Sequence, residues 1–82
     1  MPTVLWIGGL AVRIYLNDHR PMHVHVIGND HEAVFLLNSQ VGEVSLRENY
    51  GFSRGTLRKI EKALIENLKM LCGAWVRIHG IA

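Results

Sequence analysis

The stretch SRGTLRKIEKALIENLKMLCGAWVRIH, Ser53 to His79, decides how this chain folds. Its apolar residues recur at Leu57, Ile60, Leu64, Leu68, Leu71, Trp75 and Ile78, always three or four apart. That spacing lays one continuous apolar stripe along a helix. Ser53 suits the N-cap, where its hydroxyl accepts from a first-turn amide, and Gly80 suits the stop. Arg58, Lys59, Glu61, Lys62, Glu66 and Lys69 fill the remaining faces, with Lys62 and Glu66 spaced for a four-residue ion pair. At about 1.5 Å per residue the run measures roughly 40 Å, against a diameter of about 30 Å for a compact domain of this size. Either the helix breaks, with Gly73 the natural place, or its end overhangs and packs on a second copy. A lone glycine costs only ~1 kcal/mol in a helix, so Gly73 alone does not decide between them.

Upstream the period changes from that of a helix to that of a strand. Gly8-Gly9 is a two-residue hairpin signal, because glycine accepts the positive φ angles of tight turns. Folding there pairs Ile7 with Leu10, Leu5 with Val12 and Thr3 with Ile14. Leu5, Ile7, Leu10, Val12, Ile14 and Leu16 then share one face, and Val4, Trp6, Ala11, Arg13 and Tyr15 the other. Asn17-Asp18-His19-Arg20-Pro21 breaks the sheet, with Pro21 holding Arg20 extended. A third strand runs from about His23 to Ile27, with Val24 and Val26 on one face and His23, His25 and Ile27 on the other. After a turn at Gly28-Asn29-Asp30, Glu32 to Leu37 is a fourth strand. One register sets His25 opposite Glu32, another opposite Val34. Asn38-Ser39-Gln40 turns again, and Val41 to Leu46 is a weaker strand interrupted by Gly42. Strands followed by a helix, without alternation, predict an α+β fold with the helix on one sheet face. The expectation is a single domain over residues 1–82. An antiparallel sheet of four to five strands occupies 1–47, and a long C-terminal helix, broken or not near Gly73, occupies 53–79.

The totals fit one small domain. A chain of 82 residues buries only about 60% of the surface its unfolded form exposes. Yet 49% of its residues are hydrophobic, and mean hydropathy is +0.14. Either the core is unusually rich or a partner covers apolar surface, and the second reading is preferred here. The single Cys72 has no disulfide partner and follows the apolar stripe, which marks it as core rather than nucleophile. No apolar run approaches the roughly 20 residues of a membrane span, and no signal-like segment opens the chain. The expectation is a cytoplasmic protein that does not insert in membranes. A net charge of +2 is compatible with nucleic acid or an acidic partner and diagnoses neither.

Chemistry concentrates in Asn17 to Val26, which holds His19, His23 and His25, three of the five histidines. Two imidazoles two residues apart on a strand leave the same face, about 6.5–7 Å apart at the backbone. One use of that geometry is acid–base catalysis on a phosphodiester, with His23, His25 and His19 as the catalytic set and Arg20 holding the phosphate. Another is ligation of a divalent metal by His23, His25 and His19, with Asp18 a further local candidate. No cofactor is expected and no metal is favoured. The scaffold reading stands beside both, since His-x-His on a strand is a short, common pattern. Arg47, Asn49 and Arg54, with Arg58, gather at the strand-to-helix junction. They form a candidate phosphate or nucleic-acid patch, although such charges are more often a solvated rim. His31 reads as a solvated turn residue and His79 as a cation at the helix C-terminus. Trp6, Phe35, Phe52 and Trp75 read as core or interface anchors.

Several of these motifs, in this order, resemble a family of small bacterial proteins known as domain of unknown function 4160. They are Met1-Pro2-Thr3, Asn17-Asp18-His19-Arg20-Pro21 leading into His23-Val24-His25-Val26, Glu32-Ala33, Glu48-Asn49-Tyr50-Gly51-Phe52-Ser53, and Asn67 with Trp75 in the helix. The resemblance covers nearly the whole chain. Met22 stands where that family usually has a second proline. The family has no established activity. The resemblance implies a gene context like that of toxin–antitoxin pairs, with His19, Arg20, His23 and His25 matching its hallmark and Asn49 a weaker match. The leading expectation is therefore a component of such a module, binding or cleaving RNA through its His/Arg surface. The alternatives are a non-enzymatic interaction module, pairing with a cognate small protein or with itself, and a divalent-metal-binding protein. Each functional reading assumes that the two imidazoles emerge on an open flank of the sheet.

Overall fold

The computed structural model describes residues 3–80; Met1 and Pro2, part of the resemblance noted above, lie outside the described residues. The Gly8-Gly9 hairpin forms as the glycines require, with Gly8 at φ 58°. It joins β1 (Thr3–Ile7) to β2 (Leu10–Arg13). Ile7 pairs with Leu10 and Leu5 with Val12, as expected. Thr3 faces Arg13 rather than Ile14, because the register shifts between Thr3 and Leu5. Leu10 and Val12 within β2 are buried, and so is Ile14 just past its end. Leu16 lies past the end of β2, so strand alternation no longer governs it, and it is 78% exposed.

β3 (His23–Gly28) and β4 (His31–Asn38) meet at Asn29-Asp30. These two residues have φ of 52° and 62°, the left-handed conformation that Asn and Asp tolerate better than other side chains. A two-residue turn with both centres left-handed leaves one register. It pairs Gly28 with His31 and His25 with Val34, choosing between the two alignments the sequence allowed. β5 (Glu43–Tyr50) starts two residues later and runs four residues further than expected. Gly42, at φ 70°, belongs to the turn before it and does not interrupt it. The antiparallel sheet has the order β1-β2-β3-β4-β5.

The single long helix is corrected to two. α1 spans Arg54–Glu66 and α2 spans Leu68–His79, and the break falls at Asn67 rather than Gly73. The Asn67 backbone leaves helical geometry at φ −114°, ψ 16°. Its side-chain amide donates to the Ala63 carbonyl at 2.8 Å, and its own N–H is shared between the Ala63 and Leu64 carbonyls, both at 3.2 Å. A side chain inserted into the carbonyl ladder kinks a helix, whereas Gly73 only lowers helix propensity. Both ends behave as read: Thr56 N–H donates to Ser53 Oγ at 3.1 Å, and Gly80 closes α2 at φ 81°. The Lys62–Glu66 pair is not formed; ion pairs instead join Asp18 and Glu32 to His23 and His25.

The stripe does what its spacing implies. Ile60, Leu64, Leu68, Leu71 and Trp75 pack on Val12, Val24, Val26, Phe35 and Leu37 in one core, with Leu57 and Ile78 at its edge. Phe52 joins the core and Trp6 does not, being 63% exposed. His31, expected to be solvated, is half-buried with its ring edge-on to Phe52, the centroids 5.3 Å apart. It occupies the space a side chain on Gly51 would need.

Gly51, at φ 105° and against the His31 ring, is the less replaceable of the two loop glycines that flank β5. Gly51→Ala should cost about 2–3 kcal/mol, from the φ penalty and displacement of His31, against about 1 kcal/mol for Gly42→Ala, where the space is open. Urea denaturation of the two variants checks this ranking.

Candidate functional site

The loop between β2 and β3 folds back on itself through Asp18. Its N–H donates to the Tyr15 carbonyl at 3.1 Å, and its carboxylate Oδ2 accepts from the Tyr15 N–H at 2.9 Å. Asp favours such turns because its short side chain can satisfy a backbone donor nearby. The fold then carries the other oxygen to the start of β3. Asp18 Oδ1 lies 3.1 Å from His25 Nε2 and 3.4 Å from His23 Nε2. The far nitrogens are held as well. His23 Nδ1 donates to the Pro21 carbonyl at 2.8 Å, across a loop that contains the cis Arg20-Pro21 bond. His25 Nδ1 faces Glu32 Oε2 at 3.3 Å, a diagonal contact that the observed register permits. The donor atoms of Asp18, His23 and His25 all lie within 4.8 Å of one another.

The surroundings are aromatic. The His23 and His25 rings meet edge-on at 5.1 Å, and Tyr15 meets His25 at 4.7 Å. Trp75 from α2 lies 5.3 Å from His23 and 4.2 Å from His79. His79 donates from Nε2 to the Tyr15 carbonyl at 3.0 Å, so it ties the end of α2 to the loop as well as standing at the helix terminus. The expectation of an open flank is corrected. The side chains of His23, Asp18 and His25 are 8%, 11% and 15% exposed, because the folded loop and Trp75 wall them in.

His23 and His25 are thus brought together as the strand period required. His19 is exposed and outside this group of donors, and its place is taken by Asp18. Arg20 lies exposed on the same loop. Arg47 and Arg54 are exposed at the far edge strand and the first turn of α1. Asn49 spends its amide on the chain itself, accepting from Phe52 N–H at 3.1 Å and donating to Phe52 O at 3.0 Å. Tyr15 and His79 carried no local signal for the site, while Glu32 was read only as a possible cross-strand neighbour of His25 and Trp75 only as an anchor. His79 is 64 positions from Tyr15, and only the folded chain joins them.

The proton inventory constrains the chemistry. A backbone carbonyl only accepts, so His23 Nδ1 carries the hydrogen, and a neutral His23 would turn a lone pair on Asp18. A neutral His25 has one N–H for two carboxylates. With each Nδ1 engaged from behind, the two Nε2 atoms and Asp18 Oδ1 converge on one place. Burial opposes ionisation of Asp18, but the Tyr15 N–H and the two histidines outweigh it and hold its carboxyl below the ordinary 3.8.

A protein-family model described as Domain of unknown function (DUF4160) matches residues 9–76. Neither a curated protein nor a solved structure matches the chain.

A lowered folded-state pKa contributes stability that is present above the unfolded value and is lost as pH falls through the folded one. In chelator-treated buffer, Asp18→Asn should therefore be less stable than the parent at about pH 6. The gap should close as pH drops below about 4, a trend read from urea midpoints across that range.

Proposed function

The chain belongs to the family described as Domain of unknown function (DUF4160), and from that premise we propose that it is a divalent-metal-binding domain whose ligands are Asp18, His23 and His25. One observation carries the reading. Both histidines aim Nε2 at the same carboxylate oxygen, while each Nδ1 is held from behind, by Pro21 O in one case and Glu32 in the other. Metal-bound histidines are oriented in this way, since a partner on the far nitrogen fixes the tautomer and leaves the near one free to donate. A tetrahedral ion with bonds near 2.0–2.1 Å has ligand-to-ligand edges of about 3.4 Å. The two contacts to Asp18 Oδ1, at 3.1 and 3.4 Å, are near that length, and all three donor atoms lie within 4.8 Å of one another.

Two imidazoles and a carboxylate suit zinc, nickel, cobalt or copper better than magnesium or calcium, which prefer all-oxygen shells. Three protein ligands leave a fourth position for water or an anion, the arrangement of a reactive rather than a closed structural ion. The acid–base reading, with His23 and His25 acting on RNA in a toxin–antitoxin-like module, is less well supported. His23 spends one nitrogen on Pro21, and its ring is covered by Trp75. A homo-oligomer or a cognate small-protein partner is a separate proposal, supported by exposed Trp6 and Tyr50 on the two edge strands.

Titration of chelator-treated protein with zinc should show one equivalent bound. Cobalt in its place should give the intense visible absorption of a tetrahedral site. His25→Ala and Asp18→Asn should each weaken zinc binding about 10–100-fold or more, and Glu32→Gln less, through His25 alone. Affinity should fall as the pH is lowered, because protons compete with the metal for its ligands. Zinc binding that survives the double substitution His23→Ala/His25→Ala would rule out this site.

A further inference from the structure

The outer face of the two helices is a second surface, and none of the three proposed ligands lies on it. Residues 54–80 carry six basic side chains against two acidic ones, a net of +4; residues 3–53 carry three basic against five acidic, a net of −2. The modest overall charge is therefore a near-cancellation of two unlike halves. Folding turns that division along the chain into one in space, because the helices make one layer and the strands the other. All six cations, Arg54, Arg58, Lys59, Lys62, Lys69 and Arg77, are exposed. None of them lies within ion-pair distance of a carboxylate among the described residues.

The kink gives this face a shape. Where α1 ends and α2 begins, Glu66, Asn67, Lys69, Met70, Gly73 and Arg77 line an open hollow of about 460 Å³. Lys69, Gly73 and Arg77 follow one another at four-residue intervals, so both cations stand on one side of α2. Gly73 puts no side chain between them.

We propose that the helical layer binds the phosphodiester backbone of nucleic acid, with the hollow at Asn67 seating the strand between Lys69 and Arg77. A row of cations spread over a molecule 33 Å long matches a linear polyanion, whose charges repeat along its whole length. No aromatic side chain on this face offers a base a stacking surface, so contact is to the backbone and largely independent of sequence. A lipid surface fits less well. Membrane-lying helices present a broad apolar face, and here that face packs on the sheet, leaving Ile65, Met70 and Val76 as the large apolar side chains exposed between the cations. This inference is independent of metal binding.

The probe is a fluorescently labelled oligouridine of about 20 nucleotides, followed by anisotropy against salt. Six cations and about 0.7 released counterions per single-strand contact bound the log–log slope at about −4, and a value between −2 and −4 is expected. The variant Arg58→Glu/Lys62→Glu/Lys69→Glu/Arg77→Glu should bind at least tenfold more weakly with an unchanged circular dichroism spectrum. Arg47→Glu, on the edge strand, should bind within twofold of the parent. The salt slope of the unmodified protein tests the proposal even where the fourfold variant fails to fold. Absence of binding at about 50 mM salt, or undiminished affinity in the folded variant, overturns it. So does competition by polyglutamate as effective as that by unlabelled RNA, which would assign the face to an acidic protein instead.

Discussion

The Asp18 carboxylate sits where separate stretches of chain meet, and the rest of the site is arranged around it. One oxygen closes the loop by accepting from Tyr15, and the other faces the two imidazoles that begin β3. Water reaches these groups poorly, so they cannot exchange one another for solvent without a large desolvation cost. Such a centre is stable only when its charges balance. For a carboxylate that faces two imidazoles whose outer nitrogens are already engaged, the proposed metal ion supplies that balance. That requirement links the local turn chemistry of residues 15–18 to what the domain can bind.

Packing of the helical layer depends on the same residues. Trp75 lies between His23 and His79, and His79 returns to the Tyr15 carbonyl, whose own N–H is held by Asp18. The path from carboxylate to helix and back is therefore continuous. It exists because Asn67 redirects the chain. A straight rod of roughly 40 Å would exceed the longest dimension of the molecule, 33 Å. The kink returns the second half to the sheet, so that Trp75 and His79 reach the β2–β3 loop. The same change of direction opens the hollow on the outer surface. One side-chain hydrogen bond, from Asn67 to Ala63, thus shapes both faces of α2.

The sheet carries the excess acid and the helices the excess base, and the two candidate surfaces divide accordingly. The proposed cation site lies at a carboxylate beside the strands, and the proposed polyanion surface lies on uncompensated lysines and arginines of the outer layer. The overall charge conceals this, because opposite excesses nearly cancel in the total.

Periodicity made most of the architecture readable in advance. The stripe from Leu57 to Ile78, the Ser53 cap, the Gly8-Gly9 hairpin and the shared face of His23 and His25 all follow from local rules of 3.6 and 2 residues per repeat. The tertiary structure decided matters in which distant residues compete. Asn67 breaks the helix because its side chain reaches a carbonyl one turn back, whereas composition pointed to Gly73. The β3–β4 register was settled by left-handed Asn29 and Asp30, a backbone state that residue type permits but does not require. Asp18 rather than His19 completes the site because the loop turns one side chain inward and the other to solvent. His79 and Tyr15 meet across 64 positions, and contact at that separation is written in no local pattern. Sequence by itself determined which residues alternate and which recur; folding determined which of them share charge, and charge shared at short range in a poorly hydrated place is what gives the site its chemistry.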